Sequence, residues 1–198
     1  MLPRLPPAGS VLLLIDLQKS IDLMQADALN ANPSWGGRNN PLAEAQVARL
    51  LVHWRQKGWP VWHVRHDSLS PTSHYRPGQP GNDFKPEMGP RGDEPIFPKT
   101  TNSAFIGTDL EARLRSGGHC ALVVAGVSSS NSVEATVRMA GNLGFETYLV
   151  ADGSFTYGKM DWNGVPRTAD EVHAMALANM DGEYCTVVSA AALLEGGA

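Results

Sequence analysis

The sequence predicts an α/β fold, a three-layer α/β/α arrangement around a mostly parallel, Rossmann-like sheet. Two observations carry the prediction. Short apolar runs without alternation, Val11 to Ile15 and Cys120 to Ala125 among them, suit strands covered on both faces. They alternate along the chain with amphipathic helical stretches, which implies right-handed βαβ crossovers and helices on both sides of the sheet. A chain of 198 residues with 42% hydrophobic content is long enough for one well-buried domain and short for two. Residues 1–198 therefore read as a single domain, with the proline-rich residues 1–9 as an extended arm.

Val11 to Ile15 is the first strand and ends abruptly at Asp16-Leu17-Gln18. Residues 20–40 show no clear period and hold a glycine-flexed loop around Trp35. Asn40 is placed to cap a helix with Pro41 at its first position. Ala43, Val47, Leu50, Leu51 and Trp54 share one face of it until Gly58 ends it. Pro60 to Val64 is the second strand, followed by Arg65-His66-Asp67, and residues 68–97 form a long proline- and glycine-rich loop of the kind that serves as a lid or an interface. Thr108 to Glu111 opens a capped helix that runs to Gly117. The strand from Cys120 to Ala125 then enters a tight small-residue turn and a helix from Ser132 to Leu143, with Gly144 as its C-terminal cap. A strand from Glu146 to Val150, a helix from Thr168 to about Asp181, a last strand from Tyr184 to Val188 and a short Ala/Leu helix complete the chain.

A net charge of −4 without a basic stripe argues against a nucleic-acid partner. Cys120 and Cys185 each sit in an apolar, strand-like run and read as buried free thiols. The run Val11 to Ile15 is too short to cross a membrane and no cleavable signal precedes it, so no membrane partner is expected and the expected location is the cytoplasm.

Chemistry concentrates at strand ends, where parallel sheets bind ligands. Asp16 closes a central strand, where partial desolvation raises a carboxyl pKa toward use in proton transfer; the same residue equally suits a cap for the next turn. Asn131 as N-cap and Glu134 three residues on form a capping-box-like pattern that puts Ser132 at the first helical position. Unpaired N–H groups and the helix dipole there stabilise an oxyanion or an anionic nucleophile. Ser129, Ser130 and Ser132 also read simply as capping residues. There is no Gly-x-Gly-x-x-Gly after the first strand and no phosphate loop.

Three separated motifs, Ile15-Asp16-Leu17-Gln18, Phe97-Pro98-Lys99 before Asn102-Ser-Ala-Phe105, and Gly126 to Arg138 followed by Ala140-Gly-Asn-Leu-Gly-Phe145, together resemble the isochorismatase-like hydrolase family. The resemblance runs over nearly the whole chain. It implies a six-stranded parallel sheet, a homo-oligomer (dimer or tetramer), a small-molecule substrate, and an Asp-Lys-Cys triad that cleaves amide or related C–N bonds through a thioester. Position by position, it makes Asp16 the acid/base partner, Lys99 the cation that holds nucleophile and aspartate in register, and residue 132 the nucleophile. It also implies a cis peptide at Val127–Ser128, with the amides of Ser128 and Ser132 as the oxyanion hole. The sequence departs from the pattern at its centre, because residue 132 is Ser rather than Cys. A thiol is partly ionised near neutrality and an alcohol is not. The serine therefore reads as a hydroxyl nucleophile, as a sign of vinyl-ether hydrolysis with Asp16 as general acid, as a replaced cysteine, or as the mark of a non-catalytic ligand-binding member.

Relatives of the nicotinamidase type bind a metal near the second strand through Asp-x-His and a further His. Here His63 and His66 are spaced to point to opposite strand faces, so neither metal nor cofactor is expected. His66 remains as a pocket-lining hydrogen bonder, and Trp35, Phe105, Tyr157 and Trp162 are candidates for substrate-binding walls, each with ordinary packing as the alternative. His173 reads as a packing or interface residue.

Overall fold

The computed structural model of the chain describes residues 5–31 and 37–196. Its central sheet has six parallel strands, β1 (Val11–Ile15), β2 (Val61–His66), β3 (Ile96–Lys99), β4 (Ala121–Val127), β5 (Glu146–Phe155) and β8 (Thr186–Val188), in the order β3-β2-β1-β4-β5-β8. A two-stranded antiparallel hairpin, β6 (Lys159–Met160) and β7 (Pro166–Arg167), stands apart from it. β1 is buried at all five positions because both faces of it are covered. Val11, Leu13 and Ile15 face the layer formed by α3 (Leu110–Ser116), α4 (Ser132–Asn142) and α5 (Ala169–Met180). Leu12 and Leu14 face α1 (Ser20–Ala31), α2 (Ala43–Lys57) and α6 (Ala190–Glu195). No helix among the described residues is long and apolar enough to cross a membrane.

The register brings three strand ends level. Ile15 pairs with Val64 of β2 and with Gly126 of β4, and His66 pairs with Lys99 of β3. Gly126 has φ of 134°, and a Cβ on it would lie 2.2 Å from the Ile15 carbonyl oxygen. Glycine is thus what lets β4 close against β1 directly beneath the site.

Several local expectations need correction. Residues 20–31, which show no period, form α1; its anchorage comes from tertiary contacts, with Ser20 Oγ donating to the Gly81 carbonyl at 2.8 Å and Ile21 in the core. Asn40 does not cap α2. It is left-handed (φ 45°), and its side-chain amide donates to the carbonyls of Ala151 and Ser154 instead. The long loop ends earlier than residue 97, because Ile96–Lys99 form β3; Pro98 is tolerated there since β3 lies at the sheet edge, where a missing N–H costs no ladder bond. Residues 5–9 are not free: Leu5 packs against the core layer of α2 and α6, and its carbonyl accepts from the Tyr148 hydroxyl at 3.3 Å. Of the two thiols expected to be buried, Cys120 precedes β4 and is exposed; Cys185 is buried, which pushes its pKa up to about 12. The helix expected from Thr168 forms as α5, and a capping box of Thr168 and Glu171 opens it.

Candidate active site

Four elements deliver the site. Asp16 directly follows β1, β2 ends in His66 and β3 in Lys99, while Ser132 is the first residue of α4 after the β4 turn. Asp16 takes a left-handed turn (φ 54°) that an aspartate tolerates. Its backbone N–H donates to the Val64 carbonyl at 3.1 Å, and its own carbonyl accepts from the Gln18 N–H at 2.8 Å. The Gln18 side chain fixes the neighbouring strand end, donating to the His66 carbonyl at 3.1 Å and accepting the His66 N–H at 2.8 Å.

Lys99 lies buried at the centre, its side chain reaching past β2 to Asp16. Its ammonium has three hydrogens and meets three oxygens: Asp16 Oδ2 at 2.7 Å, the Thr101 carbonyl at 3.1 Å and Ser132 Oγ at 3.2 Å. The Ser132 hydroxyl thus serves Lys99 as an acceptor, which leaves its own hydrogen available for transfer. Asp16 Oδ1 is buried without a hydrogen-bond partner. Burial pushes the Asp16 pKa up, opposed first by Lys99, and the net shift is upward. His66 Nδ1 lies 3.4 Å from Lys99 Nζ; burial, then the Lys99 charge, holds the imidazole pKa down, so it is neutral near pH 7.

The turn between β4 and α4 is riveted to the end of β5. The Ser129 N–H donates to the Phe155 carbonyl at 2.8 Å and its hydroxyl lies 2.7 Å from His173 Nδ1 of α5. The Ser128 and Ser130 hydroxyls both reach Thr156 Oγ1, at 2.5 Å and 2.9 Å. The serine run is therefore explained by packing of the turn, and His173 by holding Ser129. The Val127–Ser128 peptide is cis. Asn131 precedes α4 as expected, yet its side chain makes no capping bond, and Glu134 pairs with Arg138 at 2.8 Å instead of closing a capping box. The N–H groups of Asn131 and Val133 both turn to the Ser128 carbonyl. Among the described residues the Ser128 and Ser132 amides have no such backbone acceptor.

A cavity of about 200 Å³ is lined by Asp16, His66, Ser128 and Ser132 together with Met24, Ser73, Tyr75, Asn102, Val127, Asn131 and Tyr157. Of the walls expected from sequence, Tyr157 and His66 are there. Phe105 is not: it lies in the core, stacked on Phe145 with ring centroids 5.9 Å apart. Trp162 is not either, being 93% exposed in the turn of the β6–β7 hairpin. Trp35 falls outside the described residues. Met24, Ser73, Tyr75 and Asn102 were missed because they come from α1 and long loops without periodicity; only the density of turn residues in 68–97 marked that segment. His63 and His66 do diverge: His63 donates to Glu94 at 2.9 Å on the far side of the sheet edge. No group of three His, Cys, Asp or Glu side chains placed to hold a metal occurs among the described residues.

The geometry is matched by kinship. The isochorismatase domain family matches residues 10–192. The isochorismatase family protein YrdC of Bacillus subtilis is 36% identical over 178 residues, 90% of each chain. Ureidoacrylate amidohydrolase RutB of Klebsiella pneumoniae is 28% identical over 158 residues, 67% of each chain. Among solved structures, an isochorismatase-family protein of Chromobacterium violaceum is 57% identical with a TM-score of 0.88, over 98% of this chain and 95% of that one. The chain belongs to the isochorismatase family and is a hydrolase.

Proposed function

We propose that this hydrolase cleaves an amide or similar C–N bond of a small molecule, with Ser132 as nucleophile, Asp16 as acid/base and Lys99 as the fixed cation between them. The observation that carries the reading is the placement of one buried ammonium 2.7 Å from Asp16 Oδ2 and 3.2 Å from Ser132 Oγ at the base of a cavity. Ser132 Oγ attacks the carbonyl carbon as its proton passes to Asp16. The charge developing on the carbonyl oxygen falls to the Ser128 and Ser132 amides at the start of α4. Asp16 then gives the proton to the leaving nitrogen as the C–N bond breaks; water, deprotonated by Asp16, attacks the acyl carbon, and Asp16 returns that proton to Ser132 Oγ as the ester C–O bond breaks. An alcohol is harder to ionise than a thiol, and the hydrogen bond from Lys99 together with the helix N-terminus lowers that cost. The amidohydrolase named among the relatives supports the bond type.

Ammonia release from a panel of small amides and ureas tests this. Ser132→Ala is expected to lose at least about 1,000-fold in kcat/KM, while Ser132→Cys keeps turnover. A second reading is favoured by the unpartnered Asp16 Oδ1 and its raised pKa, namely proton donation to a vinyl ether with no covalent step. Under that reading Asp16→Ala abolishes turnover and Ser132→Ala barely changes it.

A further inference from the structure

Resting on the hydrolytic reading of this site, we propose that the cavity selects small, uncharged amides and rejects those carrying a carboxylate. The size of the cavity, about 200 Å³, is below the range that holds drug-sized ligands, so the substrate is buried closely against its walls. Among the described residues no lysine or arginine lines it. Lys99 lies behind Asp16 and Ser132, fully covered, with its three hydrogens already engaged. His66 is neutral, and burial holds the phenols of Tyr75 and Tyr157 protonated. Among the described residues that line the cavity, Asp16 is thus the one ionisable group not held neutral by its surroundings.

Arg65, Arg38 and Lys85 are already paired. Arg65 makes two bonds to Asp67, at 2.8 and 2.9 Å. Arg38 pairs with Glu44 and lies over the Phe155 ring, and Lys85 holds Asp22 at 2.9 Å and Glu44 at 2.7 Å. Lys159 donates to Ser130 Oγ on the outer side of the turn, in a separate surface groove. A substrate carboxylate would enter without a free counter-ion, because the one buried ammonium nearby is already neutralised by Asp16, and would lose its hydration uncompensated. Neutral hydrogen-bonding groups are what the walls offer instead, through Asn102, Asn131, Ser73 and Tyr75, with Met24 and Val127 as apolar surface.

Matched pairs test the proposal: succinamide against succinamate, and benzamide against 4-carbamoylbenzoate. Ammonia release and ligand-observed NMR binding are measured with the wild-type chain and with Met24→Arg, which brings a cation to the partly exposed α1 wall. Wild type is expected to favour the neutral member by at least about 30-fold in kcat/KM, and Met24→Arg to narrow or invert that ratio. Equal or better turnover of the carboxylate by wild type, or a ratio that Met24→Arg leaves unchanged, overturns the proposal. If no pair releases ammonia, the hydrolytic reading fails and binding decides the selectivity. Binding of the neutral members alone then upholds it; binding of the carboxylates as well, or of neither, overturns it.

Discussion

Two carboxylates lie next to cations, and the fold treats them in opposite ways. Glu94 receives hydrogen bonds on both oxygens: two from Arg55, at 2.7 and 2.8 Å, one from His63 at 2.9 Å and one from the Arg91 N–H at 2.8 Å. Although burial acts against it, these donors push its pKa down to about 2. Asp16 has the Lys99 ammonium on Oδ2 and no partner on Oδ1; burial raises its pKa, and Lys99, with smaller help from His66 and the Ser132 hydroxyl, does not offset it. A satisfied carboxylate is an anchor, here tying the long loop after β2 to α2 and β2. An unsatisfied one can take a proton without first losing a partner. Under the proposed mechanism the contrast separates structural charge from working charge.

Exchanging the two kinds of loss breaks the comparison most strongly. Replacing Asp16 and Lys99 together, by Asn and Met, is expected to abolish turnover, by about 1,000-fold or more, while changing the unfolding free energy by no more than about 1 kcal/mol, since removing both members of a buried pair leaves no orphan charge. Glu94→Ala should do the reverse. It strands buried His63 and the Arg55 guanidinium, at a cost of about 2–3 kcal/mol in chemical denaturation, with kcat/KM of the folded enzyme within about threefold of wild type.

pH sharpens the same contrast with opposite signs. Glu94 titrates near 4.5 unfolded and about 2 folded, so its contribution is present above pH 4.5 and is lost as pH falls toward 2. Asp16, whose folded pKa is raised above 3.8, binds protons more tightly when folded, so its contribution falls as pH rises from 3.8 through the folded pKa. Stability curves of wild type and Glu94→Gln should diverge at pH values above about 2 and lose that difference in acid. The acid limb of kcat/KM, set by Asp16, should lie above 3.8 and stay in place in Glu94→Gln.

How much of this was legible follows from where each residue stands. Asp16, Lys99 and Ser132 sit at ends of regular elements, so the apolar run before Asp16 and the strand–turn–helix pattern around Ser132 place two of them, and family resemblance supplies Lys99, whose short edge strand has no readable period. The sheet and its two helical layers follow from unbroken apolar runs. Loop contacts do not: Tyr75 and Ser73 reach the cavity through a segment whose path is fixed by bonds such as that of Asn82 to the Tyr75 carbonyl, at 2.8 Å, which no periodicity announces. Trp162 misleads for the same reason, since an aromatic in a turn looks alike whether it faces a pocket or solvent. The Asn131 cap failed because the Ser128 carbonyl already takes the nearby N–H groups.

The most direct test of the account is where an acyl group lands. The chain would be exposed briefly to 4-nitrophenyl acetate, a small neutral activated ester, quenched in acid, and the acetylated peptide identified by mass spectrometry. The account predicts a single acetyl group on Ser132, absent in Ser132→Ala and strongly slowed in Asp16→Asn. Acetylation elsewhere, or labelling of Ser132 at an undiminished rate in Asp16→Asn, would contradict it.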